Sequence, residues 1–220
     1  MKKNKNIKFN IKDTNLNQKK TKIIIITCLS LFIVWTILVK IDVLDQLDKF
    51  IASFVIKIRS EKLTKIMINI TNIARAYSLM AITLLIFIIL KNKKNSILIL
   101  LNLICAFILN QTLKFIFRRP RPDGLYLITQ RGFSYPSGHA MVSMAYITLI
   151  TYFICQNIKS NILKIILYIA SSIVILLIGF SRIYLGVHHT TDVIGGFLLS
   201  ITYLIIFISL ISKKEETKWK

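Results

Sequence analysis

Acidic residues are scarce in this chain: 9 Asp and Glu stand against 30 Lys and Arg in 220 residues, a formal net charge of +21. Glycine (7) and proline (3) are scarce as well, and neither a low-complexity segment nor an internal repeat stands out. Three cysteines, Cys28, Cys105 and Cys155, each fall inside an apolar run. None has metal-ligand spacing, so they serve as small hydrophobic residues and say nothing of redox compartment. A small-residue cleavage site is missing behind the basic stretch from Met1 to Lys22. The apolar run that follows is long enough to span a bilayer, so this stretch reads as a cytoplasmic tail leading into an uncleaved first helix.

Apolar sequence is what the chain has in excess, at 55% hydrophobic residues and a mean hydropathy of +0.65. The excess lies in six runs, at about 23–39, 73–90, 96–114, 138–155, 163–180 and 192–212, each close to the ~20 residues that cross a bilayer. In a soluble protein the basic excess would point to nucleic acid. Here the cations sit between and beside the apolar runs, where topology and anionic lipid headgroups account for them, and no nucleic-acid partner is expected. Lys2, Lys3, Lys5, Lys8, Lys12, Lys19, Lys20 and Lys22 fill the N-terminal tail. Lys91, Lys93 and Lys94 follow the second run, Lys159 and Lys164 the fourth, and Lys213, Lys214, Lys218 and Lys220 the last. The positive-inside rule makes all four segments cytoplasmic. The expected fold class is therefore all-α: an integral membrane six-helix bundle, multi-pass in the cell membrane, with both termini cytoplasmic. Its domains are a basic tail at 1–22, a six-span domain at 23–212 and a short tail at 213–220.

Between the first two spans, segment 46–70 repeats Phe50, Phe54 and Ile58 every four residues among charges. That pattern fits an amphipathic helix at the outer interface, and equally a loop helix packed on the bundle.

The outer loops at 115–137 and 181–191 hold nearly every unusual residue. Three clusters stand at the outer ends of spans three to six: Lys114 with Arg121-Pro122, then Pro136-Ser137-Gly138-His139, then Ser181-Arg182 with His188 and Asp192. Arg118, Arg119 and Arg121 break the charge trend, which suggests a use other than topology. Lys114, Arg121 and Arg182 are cations for an anion. Ser137 and Gly138 open a helix, whose first N–H groups lack internal partners and whose dipole favours negative charge. Gly138 lets an oxyanion approach the backbone, and Ser137 can cap the helix or donate to the anion. A tetrahedral oxyanion such as phosphate fits this set. His188 and Asp192 are four apart, so the carboxylate can hold one imidazole nitrogen and leave the other free as nucleophile or base. His139 supplies an acid from another helix. No third carboxylate or Cys/His cluster joins them, so neither metal nor cofactor is expected. His189 falls off this pattern; a contact of Arg118 and Arg119 with a diphosphate or lipid headgroups is the lesser reading of those two.

Together the clusters resemble the signature of the type 2 phosphatidate phosphatase superfamily, which also includes vanadium haloperoxidases. That signature is Lys-x6-Arg-Pro, Pro-Ser-Gly-His and Ser-Arg-x5-His-x3-Asp, and 114–122, 136–139 and 181–192 match it at each defining position. The resemblance covers 114–192. It implies a lipid phosphatase in which His188 attacks phosphorus, Asp192 orients it and His139 protonates the leaving oxygen and later activates water. Lys114, Arg121, Ser137, Gly138 and Arg182 would hold the phosphoryl oxygens. Undecaprenyl diphosphate, phosphatidylglycerol phosphate and phosphatidate are the substrates it suggests, the first two above the third. A lipid phosphotransferase using the same phosphohistidine, and a non-catalytic membrane protein, are the alternatives.

Overall fold

A computed structural model describes residues 18–89, 93–124 and 126–216, with the side chains of Gln18 and residues 212–216 set aside. The cations expected at Lys2 to Lys12, Lys91, Lys218 and Lys220 lie outside the described residues. The described chain is helical: α1 (Gln18–Lys40), α2 (Asp45–Lys57), α3 (Glu61–Ile73), α4 (Ala76–Ile89), α5 (Lys93–Phe117), α6 (Gly138–Gln156), α7 (Asn161–Tyr184) and α8 (Thr190–Glu216). Five of these, α1, α5, α6, α7 and α8, are long and apolar enough to cross a membrane alone. The chain is a multi-pass membrane protein.

The second span is irregular. Only 14 residues form α4, too few for ~30 Å of hydrocarbon at 1.5 Å per residue. It joins α3 through a 52° bend, and the two together make the sixth candidate span. At the bend Ser78 Oγ donates to the Asn72 carbonyl at 2.7 Å, which satisfies an acceptor the broken helix leaves behind.

Segment 46–70 is likewise two helices. Ser60 starts the second by accepting from the Leu63 N–H at 3.3 Å, the ordinary work of an N-cap serine. Phe50 and Phe54 stay exposed, while Val55, Met67, Tyr184, Leu185 and Val187 close an apolar cluster beneath α2 and α3. The Tyr184 hydroxyl locks this layer, accepting from the Ser60 N–H at 3.1 Å and meeting Thr64 Oγ1 at 3.1 Å. The segment is thus packed on the bundle through one face, and its other face mixes Phe50 and Phe54 with the exposed charges Lys49, Lys57, Glu61 and Lys65.

Helix α6 is the hub, touching α5, α7 and α8. Its inner residues Val142, Ala145, Tyr146 and Leu149 meet Leu79, Ile99, Leu103 and Leu204 in the largest buried cluster. Apolar burial contributes little between helices in lipid, so close contact and interhelical hydrogen bonds count for more. Thr83 Oγ1 meets the Tyr146 hydroxyl at 2.8 Å, Asn102 Nδ2 donates to the Ala145 carbonyl at 3.0 Å, and the Tyr203 hydroxyl donates to the Asn102 carbonyl at 3.0 Å. At Gly196 a β-carbon would sit 2.8 Å from the Ser137 carbonyl oxygen, so only glycine lets α8 lie this close to the start of α6. Outer faces of α1 and α7 are apolar and exposed, as a lipid-facing surface requires.

Alternating helix directions bring the ends of α5 and α7 and the starts of α6 and α8 to one end of the bundle. The Ser137 N–H donates to the Asp192 carbonyl at 3.0 Å, tying two of these ends directly.

Candidate active site

All eight residues singled out by the three clusters gather at this end. Helix α8 begins at Thr190, so His188 precedes it rather than sharing its face. The pair still meets: His188 Nδ1 lies 3.3 Å from Asp192 Oδ2, with both side chains buried. Asp192 reaches back from the first turn, and Oδ2 also accepts the His189 N–H at 2.9 Å, as the third residue of a capping box does. A carboxylate only accepts, so Nδ1 of His188 carries the proton. Arg121 Nη1 lies 3.3 Å from Nε2 and can only donate, so the lone pair of His188 is on Nε2. His188 lies between the spans, and burial lowers its pKa to about 3, with Asp192 opposing the shift.

Arg121 is deeply engaged. Its Nε and Nη2 donate to the carbonyls of Gly132, Arg131 and Phe133 at 2.9, 3.1 and 3.1 Å, and Nη1 donates to that of Val187 at 2.6 Å. These bonds tie Arg121 to residues 131–133 and to Val187 beside the site. Lys114, at the end of α5, donates from Nζ to the carbonyls of Phe133 and Ser134 at 2.6 and 3.0 Å, which leaves one of its three N–H bonds to spare. Arg182 is 1% exposed. Its Nη1 donates to Thr71 Oγ1 at 2.7 Å and its Nη2 to Gln130 Oε1 at 3.1 Å, while Nε has no partner. The three cations are within electrostatic reach of one another.

Ser137 is the N-cap residue of α6 by its backbone but makes no side-chain cap, and its buried Oγ is unpartnered. His139 Nε2 is enclosed without a partner too. Asn110, one turn before Lys114, donates to the Pro136 carbonyl at 3.2 Å and braces the turn. A β-carbon at Gly138 would lie 2.8 Å from Asn110 Oδ1.

Arg118 and Arg119 part company. Arg118 points outward and donates from Nε to the Phe115 carbonyl at 3.0 Å. Arg119 turns inward, which sets aside the lesser reading of a diphosphate or headgroup contact: Nη1 donates to Asp192 Oδ1 and Thr191 Oγ1 at 2.7 Å each, and Nη2 to Asp48 Oδ2 at 3.0 Å. Burial works against its charge, and Asp192 and Asp48 outweigh burial, so its pKa is raised. Sequence reasoning missed Asp48, Thr71, Asn110, Gln130 and Thr191. Asn110 carried a signal, since a polar residue inside an apolar span is costly unless it has a task. A cleft of about 80 Å³ opens beside this network, lined by Asp48, Val55, Arg59, Pro122, His188 and His189 among others.

Comparison with known proteins finds related chains. The family model of the PAP2 superfamily matches residues 95–216. Phosphatidylglycerophosphatase B of Bacillus subtilis (strain 168) is 31% identical over 196 residues, covering 86% of this chain and 95% of the relative. Undecaprenyl-diphosphatase of Sulfolobus acidocaldarius is 30% identical over 144 residues, 62% of this chain and 65% of that one. Among solved structures, the transmembrane PAP2-type phosphatidylglycerolphosphate phosphatase from Bacillus subtilis superposes with a TM-score of 0.79 at 28% identity, covering 86% of this chain and 96% of its own. Aquifex aeolicus LpxE shares the fold, at a TM-score of 0.58 and 24% identity, over 76% of this chain and 95% of its own. The match to the family model spans more than half of the chain and carries all three motifs, and with it the chain belongs to the PAP2 superfamily.

Proposed function

We propose that this protein hydrolyses a membrane lipid phosphate or diphosphate through a phosphohistidine on His188, at a site on the extracytoplasmic face. One observation carries the reading: Asp192 fixes the His188 tautomer, and the resulting Nε2 lone pair faces the Arg121 guanidinium, with Lys114 and Arg182 within electrostatic reach. His188 Nε2 attacks phosphorus, the bond from phosphorus to the lipid oxygen breaks, and His139 gives that oxygen its proton. Water then attacks phosphorus, losing a proton to His139, and the P–N bond breaks to free inorganic phosphate. As phosphorus takes Nε2, Arg121 Nη1 passes from that nitrogen to a phosphoryl oxygen. Lys114, Ser137, the Gly138 N–H and Arg182 hold the other oxygens, where transition-state charge collects. The buried Ser137 Oγ, His139 Nε2 and Arg182 Nε support this, since buried polar atoms of native proteins have partners and an acceptor-rich phosphoryl group supplies them. Sidedness rests on charge. The end opposite the site carries Lys93, Lys94, Lys159 and Lys164, as a cytoplasmic end does.

Phosphatidylglycerol phosphate is the first candidate substrate and undecaprenyl diphosphate the second, because the relative bearing the first name is covered at 95% and the other at 65%. The test is phosphate release by detergent-purified protein from these two lipids and phosphatidate in parallel. The expected order places phosphatidylglycerol phosphate first. Release from none of them by folded protein would overturn hydrolysis and direct attention to phosphotransfer onto an acceptor lipid.

A pH profile follows from His188. The nucleophile must be neutral, and burial holds the folded-state pKa at about 3, below the ordinary 6.5. Protonation of His188 therefore removes activity only as pH falls toward that lower value. The acid limb of kcat/KM, which reports the free enzyme, is expected well below pH 6 once substrate ionisation is allowed for. An enzyme inflection near 6.5 that persists after the lipid's own titration is subtracted would place His188 in water rather than in this buried pocket.

A further inference from the structure

Asp48 and Asp192 are the two buried carboxylates among the described residues. Asp48 belongs to none of the three motifs and lies on α2, 144 positions before Asp192 (192 − 48). Burying a carboxylate is costly unless donors surround it. Three do: the Thr191 N–H at 2.9 Å on Oδ1, the Thr191 hydroxyl at 2.6 Å on Oδ2, and Arg119 Nη2 at 3.0 Å on Oδ2. The Thr191 N–H is one of the orphan donors at the start of α8, so Asp48 caps that helix from another element. Trp35 of α1 holds the same residue, donating from Nε1 to the Thr191 carbonyl at 3.1 Å.

Arg119 is the link. Its two terminal nitrogens are divided between two carboxylates, Nη2 on Asp48 Oδ2 and Nη1 on Asp192 Oδ1. That division leaves Asp192 Oδ2 to His188. A guanidinium beside a single carboxylate prefers to grip both oxygens at once. Without Asp48, Nη2 is free to close on Asp192 Oδ2 and compete with the imidazole for it.

We infer that Asp48 is a positioning residue for the nucleophile: it holds Arg119 to one oxygen of Asp192 so that the other stays on His188. This rests on the phosphohistidine reading above. The plainer role, a cap that only stabilises α8, predicts fewer folded molecules and an unchanged rate in each.

The two roles separate when phosphoenzyme formation is followed in single turnovers with 32P-labelled lipid, and the rate is taken per site that accepts label. Asp48→Asn keeps the size and an acceptor for the Thr191 N–H but removes the charge that holds Arg119. The expected result is labelling slowed about 30–100-fold per competent site with KM within about threefold, the size of loss that small misplacement of a reacting group brings. In Asp48→Asn with Arg119→Gln, the misdirecting guanidinium is gone as well, so the double variant labels no more slowly than Asp48→Asn alone. Asp48→Glu, which keeps the charge on a longer arm, is the fallback where the amide variant does not fold, and it is expected to label about tenfold more slowly. A rate per competent site within about threefold of wild type in either single variant, or losses that multiply in the double variant, would overturn the inference. Failure of the underlying reading looks different: wild type takes no acid-labile, alkali-stable label, or His188→Asn takes as much, and the role of Asp48 then falls with it.

Discussion

Replacing His188 by Asn is expected to cut turnover by roughly 10⁵-fold or more, the order of loss when a covalent nucleophile is deleted from an otherwise intact site. Asparagine is planar and keeps an N–H that can donate to Asp192 Oδ2, so the carboxylate is not left unpaired in its buried position. What disappears is the Nε2 lone pair beside Arg121. No amide atom replaces it, because the side-chain nitrogen of Asn is not basic and its oxygen is a poor nucleophile. The fold is expected to survive. His188 belongs to no apolar cluster, and Val187 and Leu185, which do, are untouched. The measurement is phosphate release from phosphatidylglycerol phosphate, with thermal unfolding in detergent as the check on folding. Turnover within about tenfold of wild type in a folded variant would show that another group attacks phosphorus.

Much of the architecture was legible because hydrocarbon imposes a length. Runs at 96–114, 138–155, 163–180 and 192–212 became α5 to α8, with ends displaced by a few residues where helices continue past the apolar stretch. The second span was not legible in detail. Its break falls at Ala74 and Arg75, where neither proline nor glycine marks it, and the bend is held by the distant-looking bond from Ser78 to Asn72. Ser60 did carry a signal for the division of segment 46–70, since a serine followed by Glu61 is a common helix start.

The catalytic candidates were legible for another reason: their chemistry is unusual at a membrane end, and the spacing of His188 and Asp192 survives the transfer from sequence to structure even though helix α8 begins two residues later. The supports were hidden because contact, not spacing, defines them. Arg182 is placed by Thr71 and Gln130, 111 and 52 positions away, and the start of α8 by Asp48, 143 positions from Thr191. Arg119 lies two residues from a motif arginine, yet its side chain serves the opposite end of the motif set. A local pattern gives no direction for a side chain, and direction decides whether an arginine meets substrate or a carboxylate.

His139→Ala is expected to lose about 10²–10⁴-fold with a lipid substrate, the range for a positioned acid or base, and the loss is expected to depend on the leaving group. An alkoxide is a poor leaving group, so the bond from phosphorus to a glycerol oxygen breaks only as a proton arrives. Nitrophenolate leaves without help. With p-nitrophenyl phosphate the first step in His139→Ala should therefore remain fast, giving a burst of nitrophenol equal to the number of sites. The second step still lacks the base that takes a proton from water, so steady turnover after the burst stays slow and the phosphohistidine on His188 accumulates. The lipid substrate gives no burst, because its first step is now the slower one. His139 stands at the second position of α6, with Nε2 enclosed and unpartnered, where a leaving oxygen would complete its bonding. Equal losses with both substrates and no burst with either would remove His139 from proton transfer and leave it a part of the α6 turn, fixed there beside Ser137 to shape the pocket.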